Sequence, residues 1–145
     1  MAALTCLCGA FLATSCGEDA KSTVSAEVVS SGKMPFHGPN GPGTEPITIT
    51  FNWTVVVEAH RGLGCTVGRI TTVVSETESG TSLMAETDPG ASGALASGER
   101  VEFPQSQGGS FPSGLYQRPW SGLTQIDVTY SDGRTERLEV AFAIP

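Results

Sequence analysis

Two histidines, four cysteines and a loose group of carboxylates are the residues of this chain that could do chemistry. His37 sits in a run of prolines and glycines and His60 in a turn. Neither has a second ligand at metal spacing, and no CxxC pair or Cys/His cluster is present, so a zinc site is not expected. Glu76, Glu78, Glu86 and Asp88 fall near turns but lack the pattern of a calcium loop and read as a solvated face. There is no G-x-S-x-G elbow, no H-E-x-x-H and no phosphate loop. The expectation is a non-enzymatic protein with no metal and no cofactor. A small enzyme or protease inhibitor would instead need folding to join His60 to carboxylates in one pocket.

Binding is the other chemistry available. Segment 104–122 carries Phe111, Tyr116 and Trp120 with Arg118 beside them, and segment 31–46 carries Phe36 and His37. Aromatic rings beside an arginine are typical of binding hot spots, so these six residues form the candidate surface for a protein or glycan partner. Nucleic acid is excluded as a partner. The net charge is −7, only Lys21 and Lys33 are lysines, and phosphate contacts need clustered cations.

Residues 1–15, MAALTCLCGAFLATS, contain no charge, and their apolar run is too short to span a bilayer as a helix. The stretch reads as the apolar region of a secretory signal. Ala13-Thr14-Ser15-Cys16-Gly17 then resembles a bacterial lipobox, in which small residues precede a cysteine that becomes the lipidated N-terminus. The resemblance implies lipidation at Cys16, a membrane anchor, and a place in the bacterial cell envelope at the outer membrane or the periplasmic face. Residues 16–23 read as a polar tether. Cys6 and Cys8 would leave with the signal, so Cys65 remains alone and no structural disulfide is expected. Its apolar neighbours make Cys65 a small buried hydrophobe.

These residues need elements to position them, and the strongest is Ile47 to Glu58. Ile47, Ile49, Phe51, Trp53, Val55 and Val57 alternate with Thr48, Thr50, Asn52, Thr54, Val56 and Glu58. Successive strand side chains point to opposite faces, so this is a central strand with one face on the core, and Trp53 is a core residue. Val24 to Val28 reads as a first strand. Residues 31–46 hold four prolines and four glycines and read as a long loop. Residues 59–64 turn the chain. Thr66 to Ser75 is rich in β-branched residues and reads as the next strand, although Val67 and Val73 fall on the face opposite Ile70 and Val74. Thr81 to Thr87 reads as a short edge strand, Asp88-Pro89-Gly90 as a turn, Ala94 to Phe103 as one strand with an irregularity at Gly98, and 104–122 as a second long loop.

The last two strands form a hairpin whose turn follows from parity. Ile126, Val128 and Tyr130 share a face, as do Leu138, Val140, Phe142 and Ile144. Facing residues must lie on one side of the sheet, so the loop must be odd in length. Ser131-Asp132-Gly133, with a left-handed Gly133, then pairs Tyr130 with Arg134 and Ile126 with Leu138.

Six to seven strands without a helix predict an antiparallel β-sandwich over residues 24–145. From residue 47 onward, the EAHRGLG turn, the ALASGERVEF segment and the VTYSDGRTERLEV hairpin resemble immunoglobulin-like domains of bacterial surface lipoproteins. Trp53 resembles the core tryptophan of such folds. The resemblance implies a lipid-anchored binding module, or else a structural accessory that supports an envelope assembly through its sheet edges. Antiparallel succession puts loops 31–46 and 104–122 at one end with turn 76–80, and the tether at the other with the hairpin tip.

Overall fold

The computed structural model describes residues 23–36, 47–88 and 93–144. Lipidation at Cys16, the tether, His37 and the turn at Pro89-Gly90 lie outside the described residues. The strands are β1 (Thr23–Phe36), β2 (Ile47–Arg61), β3 (Cys65–Glu76), β4 (Ser82–Asp88), β5 (Ala94–Leu95), β6 (Arg100–Phe111), β7 (Trp120–Tyr130) and β8 (Thr135–Ile144), with a one-turn helix α1 (Ser113–Tyr116) before β7. They form two antiparallel sheets, β1-β2-β6 and β4-β3-β7-β8, with β5 paired to the start of β3. The chain is an all-β sandwich of two antiparallel sheets, with β4 lying on the sheet of β3, β7 and β8.

The alternation of β2 is obeyed except at Val56, which is buried on the outer face. Ile49, Phe51, Val55 and Val57 are fully buried and Trp53 is 2% exposed, stacked on Phe51 with ring centroids 4.8 Å apart. Trp53 stands on the second strand, whereas antibody domains carry their core tryptophan on the third. Its indole Nε1 is buried without a hydrogen-bond partner. The opposite sheet contributes Val67, Ile70, Val74, Ile126, Val128 and Ile144. Its buried Thr72 and Thr124 satisfy each other across the strand pair at 2.8 Å. The phenyl ring of Phe142 covers Gly122, its cross-strand partner, and occupies the space a side chain there would need. Cys65 is free and buried, and burial pushes its thiol pKa up.

Register departs from the sequence reading where the chain bulges or changes sheet. The β3–β7 pairing shifts between Val67 and Ile70. One bulge changes the parity, so Val67 joins Ile70 and Val74 inside. Residues 94–103 are not one strand. Ala94–Leu95 pairs with β3, the chain turns at Gly98 with φ +86°, and Arg100 begins β6 in the other sheet.

Neither long loop is a loop throughout. Residues 33–36 and 104–111 flank β2 on its two sides, Lys33 opposite Phe51 and Phe111 opposite Ile47. Both strands are sheet edges, where Pro35, Pro104 and the Gly108-Gly109 pair remove no interior ladder bond. The β7–β8 turn matches its parity argument. The Tyr130 amide donates to the Arg134 carbonyl at 2.8 Å, Gly133 has φ +88°, and Ile126 faces Leu138.

Candidate functional site

The two ends of the sandwich are as antiparallel succession requires. At one end Thr23 opens β1 beside Arg61, and the Ser131 amide donates to the Gly64 carbonyl at 2.9 Å. At the other, Phe36 and Phe111 close on the start of β2, and the Thr77 amide donates to the Pro119 carbonyl at 2.9 Å. At about 3.3 Å per residue, the length of β2 separates these ends by roughly 45 Å.

The predicted aromatic surface is at the far end, but the fold has used much of it. Trp120 is 1% exposed and is the first residue of β7, not a loop residue. Its Nε1 donates to the Leu115 carbonyl at 2.9 Å, and Phe111 meets its ring edge-on at 5.4 Å. Trp120 is therefore a core residue and leaves the binding set. Phe111 and Tyr116 are half-buried against the same core, and Arg118 is exposed. Phe36 ends β1 opposite Thr48.

Lys33 holds this arrangement together. Gly32, with φ +82°, sits in the β1 bulge that breaks the register between Ser30 and Lys33. The Lys33 ammonium donates to the carbonyls of Tyr116 at 3.0 Å and Arg118 at 2.7 Å. It also lies 5.0 Å from the centre of the Trp120 ring and 5.6 Å from that of Tyr116. A cation at the last carbonyls of a helix is favourable, and here a strand of the other sheet supplies it. Burial lowers the Lys33 pKa. The buried Glu76, cross-strand partner of Trp120, accepts from the amides of Glu78 at 3.0 Å and Ser79 at 2.8 Å. Hydrogen bonding from Ser79, then from the Glu78 amide, holds its carboxyl below the usual range, with the charge of Arg118 a smaller cause.

What remains open at this end is a groove of about 1200 Å³ on the outer face of β3, β7 and β8. Alternation places Thr71, Val73 and Ser75 outward on β3, Ser121, Leu123 and Gln125 on β7, and Ala141 and Ala143 on β8. The row Ala85–Val73–Leu123–Ala141 crosses the sheet, and Leu123 is 41% exposed at its centre. None of the groove's lining residues is charged. Charge resumes at its border, where Gln125 donates to Glu139 at 2.7 Å and Arg137 binds Asp127 at 2.7 Å. Sequence reasoning missed this surface because its apolar residues are single and separated by many residues along the chain. The excess of Val73 over a strictly amphipathic pattern was its one trace.

His60, expected as a solvated turn residue, is instead in β2. Its Nε2 is 2.6 Å from the Ser25 hydroxyl, and its Nδ1 is 3.5 Å from Glu58. Among the described residues no group of three or more His, Cys, Asp or Glu side chains could hold a metal ion, and no helix is long and apolar enough to cross a membrane.

No family model and no curated protein matches the chain. Solved structures similar to it include two structural-genomics targets. A target of the Northeast Structural Genomics Consortium superposes with TM-score 0.61 at 9% identity, over 83% of this chain and 85% of that one. A Bordetella pertussis chain given the provisional name ApaA superposes with TM-score 0.60 at 12% identity, over 85% of this chain and 93% of that one. At such identities the likeness concerns architecture alone, and the chain is placed by it among two-sheet β-sandwiches.

Proposed function

We propose that the protein is a binding module of the bacterial cell envelope, anchored through lipid on Cys16, whose working surface is the uncharged groove around Leu123. The observation that carries this reading is the position of the groove. It lies at the end of the sandwich away from Thr23, so a tether joined to Thr23 leaves it facing outward. The occupant it fits is a short, uncharged, apolar segment of a partner protein. The exposed belt spans five residues of β7, about 17 Å, which matches the length of a short extended segment. A glycan would call for an exposed ring face, whereas Trp120 is buried and Tyr116 lies under Lys33.

Labelling cells with a fatty-acid analogue tests the anchor. The chain should take the label and Cys16→Ser should lose it. An unlabelled parent would contradict the anchor, and a labelled Cys16→Ser variant would move it to another cysteine. A photo-crosslinker at position 123 should join the chain to a partner protein, whereas one at Val29, exposed on the opposite sheet, should not.

A further inference from the structure

On the outer face of the β1-β2-β6 sheet, at the end near Thr23, three side chains from two strands meet in an order with chemical meaning. The Ser25 hydroxyl is 2.6 Å from His60 Nε2, and His60 Nδ1 is 3.5 Å from a Glu58 carboxylate oxygen. Ser25 and Glu58 are direct cross-strand partners. His60 reaches Ser25 because β1 and β2 slip at this point. Val24 pairs with Ala59 and Thr23 with Arg61, which leaves His60 as the extra residue of a bulge. Bulges re-aim side chains, and this one turns the imidazole onto its neighbour's hydroxyl. With its proton on Nδ1, facing Glu58, the ring presents Nε2 as the acceptor and Ser25 donates.

We propose that Ser25 is a nucleophile, with His60 as its general base and Glu58 as the residue that positions the base, and that the site transfers acyl groups from small carboxylic esters to water. Nucleophile and base are in hydrogen-bond reach, as an activated serine requires, and the Glu58 carboxylate lies 3.5 Å from the other ring nitrogen. The site opens on a concavity of about 440 Å³ lined by Ser25, Ala26, Glu27, Val56, Glu58 and Arg100. Val56 is the apolar side chain on this face, which suits a short acyl chain, while Ala26 turns to the core. Arg100 is the one cation among them, 3.5 Å from Glu27 and from Glu102.

In the first step Ser25 Oγ bonds to the ester carbonyl carbon while its proton passes to His60 Nε2. The carbon–oxygen bond to the alcohol breaks, and that alcohol leaves with the proton from Nε2. Water, deprotonated by the same nitrogen, then attacks the acyl carbon and restores the serine. The balance is ester plus water to acid plus alcohol, with no oxidant or co-reactant.

The test uses the full chain with p-nitrophenyl acetate, followed by mass spectrometry of the stopped reaction. An acetyl group should be found on Ser25. Ser25→Ala and His60→Ala should each lower the hydrolysis rate at least about tenfold while leaving the thermal midpoint unchanged, because both side chains are exposed. Glu58→Gln should lower kcat with KM unchanged, the split expected of a residue that orients the base. Ser25→Ala hydrolysing at the parent rate, or acetyl recovered elsewhere and not on Ser25, would overturn the assignment, and so would unchanged acetylation of Ser25 in His60→Ala.

Discussion

The Lys33 ammonium donates to the Arg118 carbonyl at 2.7 Å and so joins two positions 85 residues apart. That bond, its companion to Tyr116 and the Trp120 ring beneath fasten the connection before β7 to an edge strand of the opposite sheet. Lys33→Met keeps much of the aliphatic stem and removes the charge. It should destabilise the fold by about 1.5–3 kcal/mol in urea, the range for hydrogen bonds to a charged group. An unchanged midpoint would mean that the connection holds without its cation.

Trp53 should behave as core. Trp53→Ala is expected to cost about 3–5 kcal/mol by chemical denaturation, and a loss below about 1 kcal/mol would contradict its inward facing. Trp53→Phe should cost much less, since it keeps a ring on Phe51 and deletes an N–H that has no partner.

Tyr130 gives the fold an alkaline limit. Burial, then its hydrogen bond to Glu136 at 2.6 Å, raises the phenol from 10.0 to about 12. The folded state therefore holds this proton more tightly than the unfolded chain. Its contribution to stability is complete below pH 10 and declines as pH rises from about 10 to 12. Tyr130→Phe should flatten that decline. In Tyr116→Phe, where Tyr130 is the one tyrosine left, ultraviolet titration of the native chain should show no phenolate until near pH 12.

The parts of the fold that the sequence made legible are those where burial and chemistry agree residue by residue. β2 alternates at every position but Val56, and the β7–β8 turn followed from the parity of Ile126 and Leu138 with a glycine where φ is positive. The parts that were not legible are edges and bulges. Gln105, Ser106 and Gln107 carry no apolar signal, because an edge strand needs only a half-covered face. The bulge between Val67 and Ile70 reversed the parity on which the reading of β3 rested. Trp120 read as a loop aromatic because its neighbours are Pro119, Ser121 and Gly122, yet its burial depends on Lys33 and Phe111 from distant strands. The Ser25–His60 contact could not be seen in advance, since it needs both the β1–β2 register and the slip within it.

The uncharged groove around Leu123 is the centre of the functional account, and one binding measurement tests it most directly. Heptapeptides selected from a random library on the parent chain should be uncharged and apolar, and the best of them is then titrated against Leu123→Glu and against Val29→Glu, which places the same charge on the opposite sheet. Affinity should fall at least about tenfold in Leu123→Glu, where a charge enters the apolar belt, and stay unchanged in Val29→Glu. Equal binding to the parent and to Leu123→Glu would show that the groove is not the binding surface.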